Sequence, residues 1–299
     1  MREHPCALPD CTVVRLRELG LLAVAFVLAA HVTTAGAGDV SAPRVVDSAY
    51  HSTAIAGTEH MEVYLPAGYD DGGRFPVIYA LHGLPSDDTA YHRLGVAAFG
   101  RAAGQAGRPA IVVAPQGARP GDRDPEWLDW GPGRDWASAV AIGVVRHIDR
   151  DFRTIRSRSA RALIGISAGG YGAANIGIHN LDTFSVIQSW SGYFHATNPS
   201  GTGPMELGSP QADAAADVHT YVPKLRRSFR RFPTAFGFYV GNRDDRFLRE
   251  NRRLDRQLRR AGVPHAFAVY RGTHSPALWQ AHLTDWVGRA VRTLSRATG

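Results

Sequence analysis

The residues best suited to chemistry in this sequence lie in the stretch Gly165-Ile166-Ser167-Ala168-Gly169, which follows an apolar run. Its pattern is G-x-S-x-G. Glycine two positions before and after a serine allows a sharp strand-to-helix turn, because larger side chains there would collide with neighbouring elements. Such a turn raises the serine hydroxyl above the edge of a sheet, beside the free N–H groups of a helix N-terminus. Ser167 is therefore the predicted nucleophile; a glycine-rich packing turn without chemistry is the alternative.

A serine hydroxyl needs a base that takes its proton, and a carboxylate commonly orients that base. With this motif the order along the chain is serine, acid, histidine, each after a later strand. His274 follows the last apolar run, "HAFAVYRG", and is the predicted base. Asp244 and Asp245 both follow the run "TAFGFYVGN". Asp244 is favoured because it lies nearer the strand end, and one of the two is expected to cap the next helix.

Other histidines could compete with His274 for the role of base. The rivals are His82, His195, His265 and His282. None of these follows the last predicted strand in a loop, as His274 does. The sequence contains no H-E-x-x-H motif and no close spacing of His and Asp ligands, so we predict no metal. The chemistry proposed for the serine needs no cofactor.

Attack on a carbonyl creates a negative oxygen, which two backbone N–H groups usually stabilise. One predicted donor is Ala168, the residue after the nucleophile. The other is Leu84, in the loop after the run "VIYALHG". Gly83 would let the backbone approach the substrate oxygen closely, and a simple strand-terminating turn is the alternative.

The elements that must position these groups alternate between strand and helix. Strands are predicted at 44–57, 58–69, 75–83, 109–117, 159–167, 184–192, 234–242 and 265–272. Helices are predicted near 93–106, 135–151, 168–179, 245–261 and 277–295. Strands that are apolar on both faces are typical of a parallel sheet covered by helices. The predicted fold class is α/β, a doubly wound and mostly parallel sheet with helices on both faces and antiparallel N-terminal strands.

The N-terminal segment has the features of a secretory signal. Arg15 and Arg17 precede an apolar run of 12 residues, 19–30, and Ala35-Gly36-Ala37 follows it. We predict that residues 1–37 are a signal peptide cut after Ala37, which makes the protein secreted or attached to the cell envelope; an uncleaved anchor is the alternative. Residues 38–299 then form one catalytic domain. Within it, the Gly-, Pro- and Ser-rich stretch 195–233 is predicted to be an irregular insertion beside the active site.

The chain is basic, with a formal net charge of +7. Arginines concentrate at 224–231 and 246–260. A solvated surface is the ordinary explanation of such stretches, and transient contact with anionic cell-surface material is the alternative. A nucleic-acid partner is not expected, because no nucleic-acid-binding module is recognisable. The oligomeric state stays open.

Four stretches together resemble a known family: "YALHGLPSDD", "GISAGGYGAA", "YVGNRDDRFLRENRRLDRQLRRAGV" and "YRGTHSPALW". The resemblance is to the esterase D branch of the α/β-hydrolase superfamily, which includes S-formylglutathione hydrolases, feruloyl and acetyl-xylan esterases and secreted mycolyltransferases, and it covers roughly residues 45–295. It implies an α/β-hydrolase fold, a Ser167–Asp244–His274 triad and the two backbone donors named above. The family places its acid three residues after the glycine that ends the strand, here Gly241, which again favours Asp244.

Together with the predicted signal segment, the resemblance implies a secreted serine esterase that acts through an acyl-enzyme on Ser167. The expected substrate is a small-molecule ester or an ester of cell-wall or polysaccharide material. Trp279 matches an aromatic that the family carries after its catalytic histidine. Trp130, in the loop "DPEWLDWGPGRDW", could stack on a sugar or phenolic ring, or it could anchor the loop on the core. Trp130 and Trp279 are the predicted substrate-binding residues.

Two other functions are carried as alternatives. One is an acyltransferase of the mycolyltransferase type, which passes the acyl group to a sugar hydroxyl. Mycolyltransferases typically read Asp-Gly-Leu-Arg where this chain has His-Gly-Leu-Pro at 82–85, and the His-Gly-Leu form looks more like the hydrolytic members. The other is a non-catalytic cell-wall-binding protein on a hydrolase scaffold.

Overall fold

A computed structural model describes residues 41–122, 124–197 and 203–295 of the chain. The predicted signal segment, residues 1–37, lies outside this part, so its cleavage stays a prediction. No helix among the described residues has both the length and the hydropathy needed to cross a bilayer.

Eight strands form one sheet. They are β1 Arg44–Ser52, β2 Gly57–Leu65, β3 Val77–Leu81, β4 Ile111–Pro115, β5 Arg161–Ile166, β6 Val186–Trp190, β7 Ala235–Gly241 and β8 Ala266–Tyr270. Their order across the sheet is β1-β2-β4-β3-β5-β6-β7-β8. The β1–β2 and β2–β4 pairs are antiparallel and all the others are parallel. This is the predicted fold class, with the antiparallel strands at the predicted edge.

Helices cover both faces of the sheet. They are α1 Val96–Gln105, α2 Trp136–Ser138, α3 Val145–Asp151, α4 Ala168–His179, α5 Pro210–Ala215, α6 Val218–Arg231, α7 Leu248–Arg260 and α8 Pro276–Thr293, with a π-helical stretch, Ala139–Val144, between α2 and α3. Strand β3 shows why the predicted runs are apolar throughout. Ile78 and Ala80 pack in a core with α1 and α8, whereas Val77 and Tyr79 pack in the opposite core, with Ile148 of α3. Because both faces of the strand are buried, its sequence does not alternate between apolar and polar residues.

The prediction of an irregular stretch at 195–233 is wrong for its second half, which forms α5 and α6. Val218, Val222 and Leu225 recur at helical spacing in α6 and are buried against the sheet. Asp217 caps the helix, since its carboxylate accepts a hydrogen bond of 2.8 Å from the N–H of His219. The composition of the whole stretch obscured this local apolar period. Pro223 lies inside the helix and does not end it.

Candidate active site

The turn between β5 and α4 places Ser167 in a strained backbone conformation. Its φ is 57° and its ψ is −119°, a combination that side-chain-bearing residues rarely adopt. The Ser167 N–H donates to the carbonyl of Trp190 at 2.9 Å, and its carbonyl accepts from the N–H of Tyr171 at 3.1 Å. These bonds on both sides tie the turn to β6 and to α4. The hydroxyl therefore stands at the carboxyl edge of the sheet, at the N-terminus of α4, as the motif predicts.

The two motif glycines are required by close backbone approach. A Cβ on Gly165 would overlap the carbonyl group of Gly169, and a Cβ on Gly169 would overlap the carbonyl of Leu81 and lie 2.5 Å from that of His82. Backbone atoms cannot rotate away as a flexible side chain could. Any larger residue at either position must therefore displace the strand, the helix or the turn that holds Ser167.

Replacing Gly165 with alanine is expected to destabilise the protein by about 3 kcal/mol or more, because the new methyl group overlaps backbone. For a domain of this size, that change lowers the thermal midpoint by about 6–12 °C. The matched control is Gly104→Ala in α1, where a Cβ meets no atom within 4 Å. Alanine is the better helix former, so the control should melt at the wild-type temperature or slightly above it. Differential scanning calorimetry of the wild type and the two variants measures these midpoints. A Gly165→Ala midpoint equal to that of the wild type would contradict the expectation.

The structure brings the three predicted side chains together. Nε2 of His274 lies 2.9 Å from Oγ of Ser167, and Nδ1 of His274 lies 2.8 Å from Oδ2 of Asp244. The Asp244 side chain is 0 % exposed and that of His274 is 12 % exposed. An ionised carboxylate can only accept hydrogen bonds, so Nδ1 carries the proton and Nε2 is left to accept from the serine hydroxyl. Nucleophilic catalysis by a serine hydroxyl requires this arrangement.

Asp245 does not take part in this arrangement, because it is exposed. Neither aspartate caps α7 in the predicted way: the helix starts at Leu248, later than expected, and its N-cap residue is Phe247. Asp244 nevertheless stabilises that end of the chain, since its Oδ1 accepts a 3.3 Å hydrogen bond from the N–H of Phe247. One carboxylate therefore orients His274 and also holds the turn before α7.

The rival histidines have other surroundings. His195 bonds to Glu250 at 2.6 Å and His265 to Asp255 at 3.0 Å, both through ring nitrogens. The ring of His282 stacks on Tyr270. Of the four rivals, only His82 lies next to the turn that carries Ser167.

The predicted oxyanion donors flank the serine turn. Ala168 is the first residue of α4, and Leu84 follows the end of β3. Among the described residues, neither N–H donates to a carbonyl or a side chain. Gly83 lies against the turn, since a Cβ there would be 2.9 Å from Cβ of Ser167. Both N–H groups are thus available beside the nucleophile, and their role stays a prediction.

His82 and Trp127 hold the loop that carries Leu84 in a way that the sequence did not indicate. The indole N–H of Trp127 donates to the carbonyl of His82 at 3.2 Å, and Nδ1 of His82 lies 3.0 Å from the carbonyl oxygen of Gly83. Burial lowers the pKa of His82 to about 4, so the ring is neutral at neutral pH. The ring therefore adds no charge to the site and cannot replace His274 as the base.

Comparison with known proteins identifies the family of this chain. The family described as "Putative esterase" matches residues 52–290, most of the chain. The chain belongs to this esterase family. The predicted family and fold class are thereby confirmed.

Two curated relatives come from Mycobacterium tuberculosis: Esterase MT1326 (strain CDC 1551 / Oshkosh) and Esterase Rv1288 (strain ATCC 25618 / H37Rv). Each is 27% identical over 277 residues, which cover 83% of this chain and 59% of the relative. The chain therefore spans about three fifths of the length of these relatives.

Solved structures share the fold. A ferulic acid esterase superposes with a TM-score of 0.70 at 22% identity, covering 85% of this chain and 98% of that one. An S-formylglutathione hydrolase from Staphylococcus aureus superposes with a TM-score of 0.68 at 20% identity, covering 84% of this chain and 100% of that one. This likeness places the esterase-family chain in the α/β-hydrolase fold.

A cavity of about 620 Å³ opens above Ser167 and His274. Trp279 lines it, and the predicted role of this residue in substrate binding stays a prediction. The indole of Trp279 meets the ring of His274 edge-on at 5.3 Å, and its N–H donates to Oγ of Ser191 at 3.0 Å. Ser191 has a positive φ of 50° and is fully buried. Trp279 therefore packs beside His274 and is held in place by the residue that follows β6.

The assignment of Trp130 to this cavity is wrong. Trp130 lines a separate cavity of about 550 Å³, together with Ile142 and His179. Its indole N–H donates to the carbonyl of Pro125 at 2.8 Å, and its ring packs near Trp136. These contacts anchor the loop on the core, the alternative that the sequence had left open.

A buried acidic pair lies behind the cavity, and the sequence did not indicate it. Tyr193 lines the cavity, and its hydroxyl donates to both carboxyl oxygens of Glu126, at 2.7 and 2.5 Å. Burial, and then repulsion from Asp124, raises the pKa of Glu126 to about 9. Both acids have positive φ, 40° for Asp124 and 54° for Glu126. This strained loop fixes the position of Tyr193 at the cavity wall.

One cluster of metal-ligating residue types exists among the described residues. It comprises Asp47, Glu62 and His92, with one ligand atom of each within 4.8 Å of the others. Nδ1 of His92 already lies 2.7 Å from the carboxylate of Glu62, so a hydrogen bond between the two side chains accounts for the contact. The expectation of no metal stays a prediction.

Proposed function

We propose that this chain is a serine esterase that hydrolyses carboxylic esters through an acyl-enzyme on Ser167. The observation that carries the proposal is the hydrogen-bonded chain from Ser167 through His274 to the buried Asp244, with distances of 2.9 and 2.8 Å. A serine, a base and an orienting acid in this order are what acyl transfer requires. Membership of the esterase family supports the same reaction class.

In the first half-reaction, Ser167 attacks the ester carbonyl carbon while its proton passes to Nε2 of His274. Asp244 stabilises the charged imidazole that results. The N–H groups of Leu84 and Ala168 donate to the negative oxygen of the tetrahedral intermediate. When the intermediate collapses, the C–O bond to the alcohol breaks and the alcohol oxygen takes the proton from His274.

The second half-reaction releases the acid. Water loses a proton to Nε2 of His274 and attacks the acyl carbon, and the same two N–H groups hold the oxyanion. The bond to Ser167 then breaks, and its Oγ recovers the proton from His274. No cofactor takes part in either half-reaction.

The cavity indicates an ester with an apolar part. One side of the wall comes from α1, α8 and the segment before α1, with the side chains of Leu94, Ala98, Phe99 and Leu283. A wall of this kind favours an alkyl chain or an aromatic ring, because burial of apolar surface supplies about 25 cal/mol per Å². Export of the protein by an N-terminal signal belongs to the same proposal.

A fluorophosphonate probe tests the proposed nucleophile directly. We expect one covalent adduct per protein molecule, assigned to Ser167 by tandem mass spectrometry, because the probe phosphonylates a serine activated by a neighbouring base. Incubation with a panel of p-nitrophenyl esters should release the corresponding acids. A correctly folded protein that neither reacts with the probe nor turns over any ester would refute the proposal.

A further inference from the structure

A second cavity adjoins the proposed catalytic cavity. We call this cavity the arginine groove. It has a volume of about 630 Å³ and is lined by five arginines, one from the turn before α7 and four from α7 itself: Arg246, Arg249, Arg252, Arg253 and Arg256. Arg246 and Phe247 line both cavities. The two cavities are therefore neighbours that share a wall at these two residues.

The five guanidinium groups have no acidic partner within 4.0 Å in the described part of the chain. Other arginines do pair with carboxylates in this protein; these are Arg44, Arg93, Arg119, Arg150, Arg161, Arg259 and Arg289. The arginine groove thus concentrates positive charge that the described residues leave uncompensated. A concave basic surface raises the local concentration of anions.

Repulsion between these arginines destabilises α7. Arg249 and Arg253, and likewise Arg252 and Arg256, stand four residues apart on α7. Like charges at this spacing repel each other and destabilise a helix. An anion that binds between these side chains removes the repulsion, and guanidinium groups match phosphate and carboxylate oxygens in pairs.

Glu250 also lines the arginine groove, but it does not neutralise the positive charge of the five arginines. Its carboxylate accepts from the ring of His195 at 2.6 Å and from the N–H of Phe194 at 2.8 Å. Burial opposes the ionisation of Glu250, yet the hydrogen bond from His195, with the ring of His219 3.5 Å away, prevails and lowers its pKa to about 2. The same hydrogen bond to Glu250 raises the pKa of His195. Glu250 is therefore paired with a histidine, and the arginines remain available to bind an anion.

We propose that the arginine groove binds phosphate or carboxylate groups carried by the ester substrate, while the apolar part of that substrate occupies the cavity above Ser167. This inference rests on the proposed function and narrows the substrate to anionic esters. The concave shape favours a discrete anionic group over a flat membrane surface, which could not enter the cavity.

A binding experiment tests the groove without reference to turnover. Inorganic pyrophosphate is titrated into the full chain by calorimetry at constant ionic strength. The test variant is Arg249→Gln/Arg253→Gln/Arg256→Gln. The control, Arg101→Gln/Arg227→Gln/Arg230→Gln, removes the same charge from exposed helical positions outside the groove. We expect the Kd to rise at least tenfold in the test variant and to stay within twofold in the control. Absence of binding, or equal weakening in both variants, overturns the proposal.

A kinetic experiment asks whether the bound anion belongs to the substrate. The matched ester pairs are 4-acetoxybenzoate with phenyl acetate, and mono-4-nitrophenyl succinate with 4-nitrophenyl butyrate. They place a carboxylate on the alcohol side and on the acyl side respectively. In at least one pair, the wild type should prefer the charged ester in kcat/KM. The test variant should lose at least tenfold of that preference, mainly through KM, and the control variant should keep it.

The remaining outcomes are also decisive. Equal kcat/KM for charged and neutral esters in both pairs overturns the assignment to the substrate. Groove-dependent sedimentation with phosphatidylglycerol vesicles, without any ester preference, overturns it in favour of a lipid surface. If the wild type hydrolyses no ester at all, the proposed function fails, and the pyrophosphate titration still decides whether the arginine groove is an anion site.

Discussion

Replacing Ser167 with alanine is expected to lower kcat/KM for a carboxylic ester by about 10,000-fold or more. The hydroxyl that lies 2.9 Å from Nε2 of His274 is the proposed nucleophile, and its loss leaves only attack by water. The two backbone donors and the cavity stay in place, so a residual rate above the uncatalysed reaction should persist. A 10,000-fold loss corresponds to about 5.4 kcal/mol of transition-state stabilisation.

The control for this change is Ser228→Ala, a serine in α6 that lies away from the candidate site. It should retain wild-type kinetics. Both variants should keep the wild-type far-UV circular dichroism spectrum, so that lost turnover is not confused with lost folding. Turnover of Ser167→Ala above about one per cent of wild type would show that another group performs the attack, since removal of a true nucleophile costs far more.

Replacing Asp244 with asparagine is expected to lower kcat by about 1,000- to 10,000-fold while the protein stays folded. The carboxylate at 2.8 Å from Nδ1 of His274 keeps the proton on that nitrogen. An asparagine side chain can turn its amide N–H toward Nδ1, which moves the ring proton to Nε2. Nε2 then cannot accept the proton of Ser167. The chain offers a close control in Asp245→Asn, because Asp245 is its sequence neighbour and is exposed.

Steady-state kinetics of the two variants separate the two aspartates. The Asp245→Asn variant should stay within twofold of wild type. Equal losses in both variants, or a larger loss at Asp245, would reverse the assignment of the acid. Thermal midpoints serve as the folding control, since Asn at 244 can still accept from the N–H of Phe247 through its carbonyl oxygen.

Local rules made much of the fold predictable from the sequence. Strand β3 is apolar throughout because helices bury both of its faces, and the same signal marked the other parallel strands. The positions of the serine, the acid and the histidine after β5, β7 and β8 placed Ser167, Asp244 and His274 at one edge of the sheet. Parallel strands all end at that edge, so topology alone brings these residues near each other.

The sequence-based prediction failed in the second half of 195–233, where it relied on average composition and not on the spacing of apolar residues. Helix α6 carries a regular apolar period, with Val218, Val222 and Leu225 on the buried face. The glycines, prolines and serines before it dominated the average over 195–233. A window limited to the helix, together with the capping Asp217, was the signal that could have revealed it.

By itself, the sequence determined the turn at Ser167, the alternation of strands and helices, and the chain order of the triad. These depend on the steric demands of glycine and on hydrophobic period, which act over a few residues. Tertiary structure alone decided that Trp130 lines a separate cavity, that Tyr193 bonds to the buried Glu126, and that the arginine groove opens beside Phe247. Each of these outcomes depends on side chains from distant parts of the chain that meet only when the loops pack, and no local pattern encodes that packing.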